Sequence, residues 1–243
     1  MRDILSDVVK QTASLFEVVK VVGTDDATKL SAVDASKTLF LQAALRQPIP
    51  EFAGEWGLSN LPLLNGLLNF ASYKTDDATF RVKRGARNGV EFVEQFEFRD
   101  AKGKGADFRA MSAALVGEQA VIANIPWDVS VTPSKAKVAE FSQLASIFGE
   151  VSKGYFGVQT EDGDLVFNIG DDTSSTHRVS LVFESDVQGA LKGDLIFSIN
   201  QFLSVLKLAG TNKTTVNITS RGVLGVVVET DHATYSYYMR AKR

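Results

Sequence analysis

From Ile4 to Val19 apolar residues recur at spacings of three and four (Ile4, Leu5, Val8, Val9, Thr12, Leu15, Phe16, Val19), while Asp7, Lys10, Ser14 and Glu17 fall elsewhere. That period predicts one amphipathic helix. Two β-type runs within residues 29–45 flank Asp34-Ala35-Ser36-Lys37, which predicts a hairpin with a tight turn. A second helix is expected over LSNLPLLNGLLNFA, with Ser59 and Asn60 as cap candidates and Pro62 in the first turn, where no N–H is needed. Short Phe- and Val-rich runs follow (DATFRVKRG, NGVEFVEQFEFRD, ADFRAMSAAL), separated by Gly85, Asn88-Gly89 and Lys102-Gly103-Lys104-Gly105, and read as strands.

Residues 116–130 have no clear period and read as a connector; beyond it the order repeats. A helix is expected over 134–150, then a hairpin turning at Asp162-Gly163, the strand RVSLVFES, a helix over SINQFLSVLKLAG capped by Ser198 or Asn200, and three strands. Identity supports duplication: Gln11-Thr12-Ala13-Ser14-Leu15-Phe16 reads against Gln143-Leu144-Ala145-Ser146-Ile147-Phe148 at an offset of 132, and Leu64 aligns with Leu203 at an offset of 139. The paired Ala-Ser would let each helix lie close on an antiparallel sheet. The expected fold is therefore α+β, two similar domains (1–115 and 131–243) joined by the connector, each with two helices on one face of antiparallel sheets. Long apolar edges such as ADFRAMSAAL and HRVSLVFE invite pairing with another copy, and a head-to-tail contact grows a filament or closes a ring.

Composition narrows the class. The chain has 243 residues, 44% hydrophobic and 23% charged, typical of a globular protein. No apolar run reaches the roughly 18 residues of a membrane span, and the acidic N-terminal stretch is unlike a signal peptide, so a cytoplasmic protein without membrane partners is expected. There is no cysteine, hence no disulfide or thiolate metal site, and the net charge of −3 argues against a nucleic-acid-coated protein while allowing a local basic face.

The ordered set LSAVDASKTLFLQAAL, EFSQLASIFGEVSKGYFGVQTEDGDLVFNIG, INQFLSVLKLAG and TYSYYMRAKR resembles the sliding DNA clamps of the proliferating-cell-nuclear-antigen and T4-like phage type over nearly the whole chain. The resemblance implies a homotrimeric ring of two-domain subunits with helices lining a hole for duplex DNA. It also implies a replicative DNA polymerase and a clamp loader as partners, and no chemistry or cofactor of the clamp's own. The short connector leans toward a phage source, which would place the protein in the host cytoplasm.

On the helices and their ends lie Lys10, Lys20, Lys74, Lys135, Lys137, Lys207 and Lys213, the candidates for sequence-independent phosphate contact; lysines on an outer helix face are also ordinary solvation. Asn65 and Asn69 stand where relatives often carry lysine. For partner peptides the resemblance maps a pocket onto Val33, Phe40, Val121, Ile122, Ile125 and Tyr238. For the subunit contact, the strand near 106–115 is expected to pair with that near 176–183 of the next copy, at Phe108, Met111, Val179 and Leu181.

Catalysis finds no support. His177 and His232 have no matched nucleophile motif, and Glu161-Asp162-Gly163-Asp164 lacks the order of a calcium loop. No metal or catalytic residue is expected. The alternative to a clamp is a ring- or tube-forming structural protein of a virion, distinguished by its assembly size.

Overall fold

The computed structural model describes residues 1–87, 90–117, 122, 124–170 and 177–242, with only the backbone of Arg87 and Val90. The chain divides into two compact units, Met1–Val121 with Thr230–Tyr235, and Ile122–Glu229 with Ser236–Arg243.

Unit 1 runs α1 (Arg2–Thr12), β1 (Val18–Gly23), β2 (Thr28–Val33), β3 (Leu39–Leu45), β4 (Gly54–Ser59), α2 (Leu61–Asn69), β5 (Thr79–Arg87), β6 (Val90–Arg99), β7 (Gly105–Arg109), β8 (Met111–Ser112) and the single turn α3 (Ala113–Val116). Its strands order as β8-β4-β1-β2-β3 and, separately, β5-β6-β7. Neighbouring strands run antiparallel, as β2 and β3 do where Val33 meets Phe40. Alternate residues of β1 are buried, so Val19 and Val21 belong to the core, as do Leu5, Val8 and Val9 of α1. Arg2 ties the helices together by donating to the carbonyls of Leu68 (2.8 Å) and Tyr73 near the C-terminal end of α2. Residues 230–235 are held to this unit by Asp7, whose carboxylate accepts from the Thr230 hydroxyl (2.8 Å) and the Tyr235 phenol (2.9 Å).

The strands and helices of unit 2 are β9 (Val129–Val131), α4 (Lys135–Phe148), β10 (Tyr155–Glu161), β11 (Asp164–Gly170), β12 (Arg178–Glu184), β13 (Leu195–Ser198), α5 (Ile199–Ala209), β14 (Lys213–Thr219), β15 (Val223–Glu229) and, from Ser236 on, β16 (Ala233–Arg240). One sheet has the order β12-β11-β10-β13, and the strands β16-β15-β14-β9 adjoin in that order. Ser134 and Ser198 cap α4 and α5, each accepting from the backbone N–H three residues on. The core is a ring cluster in which Phe141 of α4, fully buried, meets Phe156, Phe167, Phe183 and Phe202 at 5.0–6.4 Å.

Both units thus share the run helix, four strands, helix, three strands, to which unit 1 adds β8 and α3 at its end and unit 2 adds β9 at its start, and the four strands have equivalent order (β4-β1-β2-β3 and β13-β10-β11-β12). Burial gives a register that differs from the identity match. Leu5 and Val9 of α1 correspond to Phe141 and Ala145 of α4, 136 residues on, whereas Leu61, Leu64 and Leu68 correspond to Ile199, Phe202 and Leu206, 138 on. The identity offset of 132 is about one helical turn out.

Several expectations are corrected. The first helix stops at Thr12 rather than Val19, because the β-branched Val18, Val19, Val21 and Val22 form β1. Two strands that precede the second helix of each unit, β4 and β13, are absent from the expected element order. Gly85 lies inside β5 and does not end it. The expected strand over 106–115 is broken into β7, β8 and α3. Asn60 precedes α2 with a left-handed backbone (φ 50°) and no side-chain capping bond.

Candidate nucleic-acid interface and partner surfaces

Helices α4 and α5 and strand β14 of unit 2 bring three of the seven candidate lysines to one groove. A groove of about 510 Å3 lies against α4, α5 and the start of β14, with Val138, Leu203 and Leu206 among its apolar walls and Lys135, Lys207 and Lys213 around it. Lys207 is exposed in the last turn of α5, where a cation suits the helix dipole. Lys135 and Lys137 stand in the first turn of α4, which holds no acid. That position opposes the dipole. Lys137 is offset by an ion pair to Glu140 (3.0 Å), and Lys213 pairs with Glu229 (2.7 Å).

Unit 1 is different. Lys10 is exposed in the last turn of α1. Lys74 follows a 3-10 turn and donates to the amide oxygen of Asn69 (2.9 Å), which itself donates to Asn65. Helix α2 contains no charged residue, and its exposed side presents Leu63, Asn65 and Asn69. Lys20 is a correction: it is on strand β1, mostly covered, and paired with Glu55 at 2.5 Å, because the first helix ends before it.

The expected partner-pocket residues are placed as follows. Val33 and Phe40 face each other across the β2–β3 hairpin, both half-buried. The turn between those strands is organised by Asp34, whose carboxylate accepts from the N–H groups of Thr38 and Leu39 (both 2.8 Å). In unit 2 Ile122 and Ile125 are half-buried, and Tyr238 stacks on Trp127 with rings 6.3 Å apart and 6° from parallel. Trp127 is not among the residues that the sequence singles out. The lone Gly225 within VLGVVVE signals it, since a Cβ there would stand 2.8 Å from the indole. Val121 lies outside the described residues. Asp128, next along, accepts from the Ser220 N–H (2.6 Å) and the Thr219 hydroxyl (3.2 Å). These bonds, that from Ser220 foremost, hold its carboxyl below the usual carboxylate range.

At the expected subunit contact, β7 and β12 are terminal strands of their sheets among the described residues. Phe108 and Leu181 are buried inside their own units, so only their backbone is offered to a neighbour. Met111 is half-buried on β8 and pairs with Gly57, on a different strand from Phe108. Val179 is half-buried, and the exposed apolar side chain of β12 is Val182. Thr176, the expected start of that edge, lies outside the described residues.

His177 is exposed ahead of β12, and the carbonyl of half-buried His232 accepts from Arg46 N–H. Among the described residues no group of three or more His, Cys, Asp or Glu is arranged to hold a metal ion. No helix among them is long and apolar enough to cross a membrane.

No family model matches the sequence, and no curated protein is significantly similar to it. Solved structures are. A PCNA from Thermococcus kodakaraensis superposes with a TM-score of 0.72 at 12% identity, covering 100% of this chain and 97% of that one. A PCNA from A. fulgidus, solved with the C-terminal region of FEN-1 bound, gives 0.70 at 10% identity, covering 100% and 96%. With its two repeated units and this full-length agreement, the chain has the DNA sliding-clamp fold of the PCNA type.

Proposed function

We propose that this protein is a processivity clamp: three copies close head to tail into a ring around duplex DNA and tether a replicative polymerase, a clamp loader opening and placing the ring. The observation that carries this reading is the repeated helix, four-strand, helix, three-strand unit, matched end to end by PCNA structures. The groove lysines support it. Cations at the start of α4, where the dipole disfavours them, are explained by a polyanion outside the protein better than by helix stability. The terminal strands β7 and β12 supply backbone for pairing between copies, which fits a heterologous contact that closes. One PCNA structure holds the C-terminal region of FEN-1; by analogy the Trp127–Tyr238 stack is an aromatic anchor for a partner's tail here. Encirclement makes a weak tail contact sufficient, because the partner stays at high effective concentration.

The test is retention. Loaded protein should stay on nicked circular DNA at a salt concentration that strips it from the same DNA once linearised, and native mass should equal three chains. Equal loss from both topologies refutes encirclement, and open polymers without DNA retention point to the structural alternative.

A further inference from the structure

The sheet β12-β11-β10-β13 carries a cleft of about 580 Å3 in unit 2, within the ordinary range for ligand sites of about 300–1,000 Å3. Gly157 opens it. Alternate residues of a strand share a face, so Gly157 sits between Tyr155 and Gln159, and the missing side chain leaves a hollow flanked by its cross-strand partners Asn168 and Ile196.

Among the described residues the cleft is rimmed by three cations, Lys153, Arg178 and Lys242, and one carboxylate, Asp194, in a chain whose net charge is −3. Each cation is positioned. Lys153 has a left-handed backbone (φ 53°) ahead of Gly154 (φ 81°), a conformation kept only where neighbours over-determine it. Here Lys153 N–H donates to Glu150, and Gly154 both donates to Gly149 and accepts from Ile199. Arg178 donates to the Asn168 side-chain oxygen (3.3 Å). The Lys242 ammonium lies 4.2 Å from the centre of the Tyr155 ring, and its backbone N–H donates to the Ile196 carbonyl (2.8 Å) on the terminal strand β13.

We propose that this cleft binds a short acidic peptide of a partner protein, with carboxylates on Lys153, Arg178 and Lys242 and an apolar side chain against Tyr155 and Ile196. Charge complementarity selects an acidic occupant. The Ile196 carbonyl on the outer edge of β13 is already taken by the Lys242 N–H, so the occupant is read by side chains. The amides of Asn168 and Gln159 and the apolar Ile196 also suit a peptide better than a phosphodiester track. The lining comes from unit 2 alone, and because Arg178 opens β12, the strand proposed above for pairing between copies, the native mass of each variant is measured beside its titration.

The full-length protein is titrated with a labelled, end-blocked peptide of alternating glutamate and leucine, with its glutamine counterpart, and with oligothymidylate. The glutamate peptide should bind at least about tenfold more tightly than the glutamine one. Lys153→Gln with Arg178→Gln should weaken it about tenfold, and Gly157→Leu should abolish it. A Cβ at 157 would meet Asn168 Cβ at 3.6 Å, an ordinary contact, so the added side chain fills the cleft without displacing backbone. If Gly157→Leu fails to fold, the double charge variant decides. No binding of the glutamate peptide, equal binding of the two peptides, indifference to the charge variants, or displacement of the peptide by oligothymidylate overturns the proposal.

Discussion

Phe141 tests whether α4, and with it Lys135, is held where the groove requires. The ring is fully buried and meets Phe156 at 5.0 Å, Phe167 at 5.4 Å, Phe202 at 5.6 Å and Phe183 at 6.4 Å. Truncation to alanine removes roughly 150 Å2 of buried apolar surface, or about 4 kcal/mol at about 25 cal/mol per Å2. Phe→Ala substitutions in cores cost about 3–5 kcal/mol, the upper values where surrounding rings cannot collapse into the space. Four neighbouring rings, each locked by others, resist collapse, so a loss of about 4 kcal/mol is expected. Phe141→Leu keeps most of the volume and should lose about 1–1.5 kcal/mol. Urea unfolding followed by circular dichroism measures both, provided the denaturant slope is unchanged. A loss below about 1.5 kcal/mol for Phe141→Ala at constant slope would show that the cluster repacks and that α4 is anchored otherwise.

Three further outcomes are expected. Lys207→Gln should weaken DNA association alike for all sequences and flatten its logarithmic salt dependence by about 0.9 for each phosphate the side chain no longer neutralises; an unchanged slope removes Lys207 from the interface. Val182→Glu places a charge on the exposed side of β12 and should dissociate the oligomer while leaving the subunit folded, so an unaltered native mass places the subunit interface elsewhere. Asp128 has a depressed folded pKa, so its contribution is complete above its unfolded value of about 3.9 and is lost as pH falls through the lower folded one. Asp128→Asn should therefore melt earlier than the parent at neutral pH, with the gap closing only below about pH 4; a gap that closes already near neutrality refutes the assignment.

The second helices are legible because Pro62 and Ser198 stand at their starts and a 3.6 period runs through them; the hairpins are legible from Asp34-Ala35-Ser36-Lys37 and Asp162-Gly163. Strand β1 is hidden because its valines continue the phase of the helix before it, and only their β-branching distinguishes the two. Strands β4 and β13 are short and run directly into helices, so neither ends on a turn signal. In the candidate interface, Lys135, Lys207 and Lys213 are separated by up to 78 positions and line one groove only through the placement of α4, α5 and β14, which no local pattern encodes. Lys20 is misplaced by the same error that lengthens α1. The cleft at Gly157 is equally hidden, since one glycine in a strand acquires meaning only from its cross-strand neighbours.

The chain has two tryptophans, and each belongs to a different unit. Trp56 is fully buried, edge-on to Phe52, with its indole N–H donating to the Phe52 carbonyl (3.0 Å). Trp127 is half-buried and flat against Tyr238. Their emission therefore differs in colour before any label is added: the first blue and sensitive only to loss of the unit 1 core, the second redder and quenched or shifted by whatever touches Tyr238. A Trp56→Phe chain turns the second into an optical gauge of tail docking, and a Trp127→Phe chain leaves a silent witness to the melting of unit 1 alone.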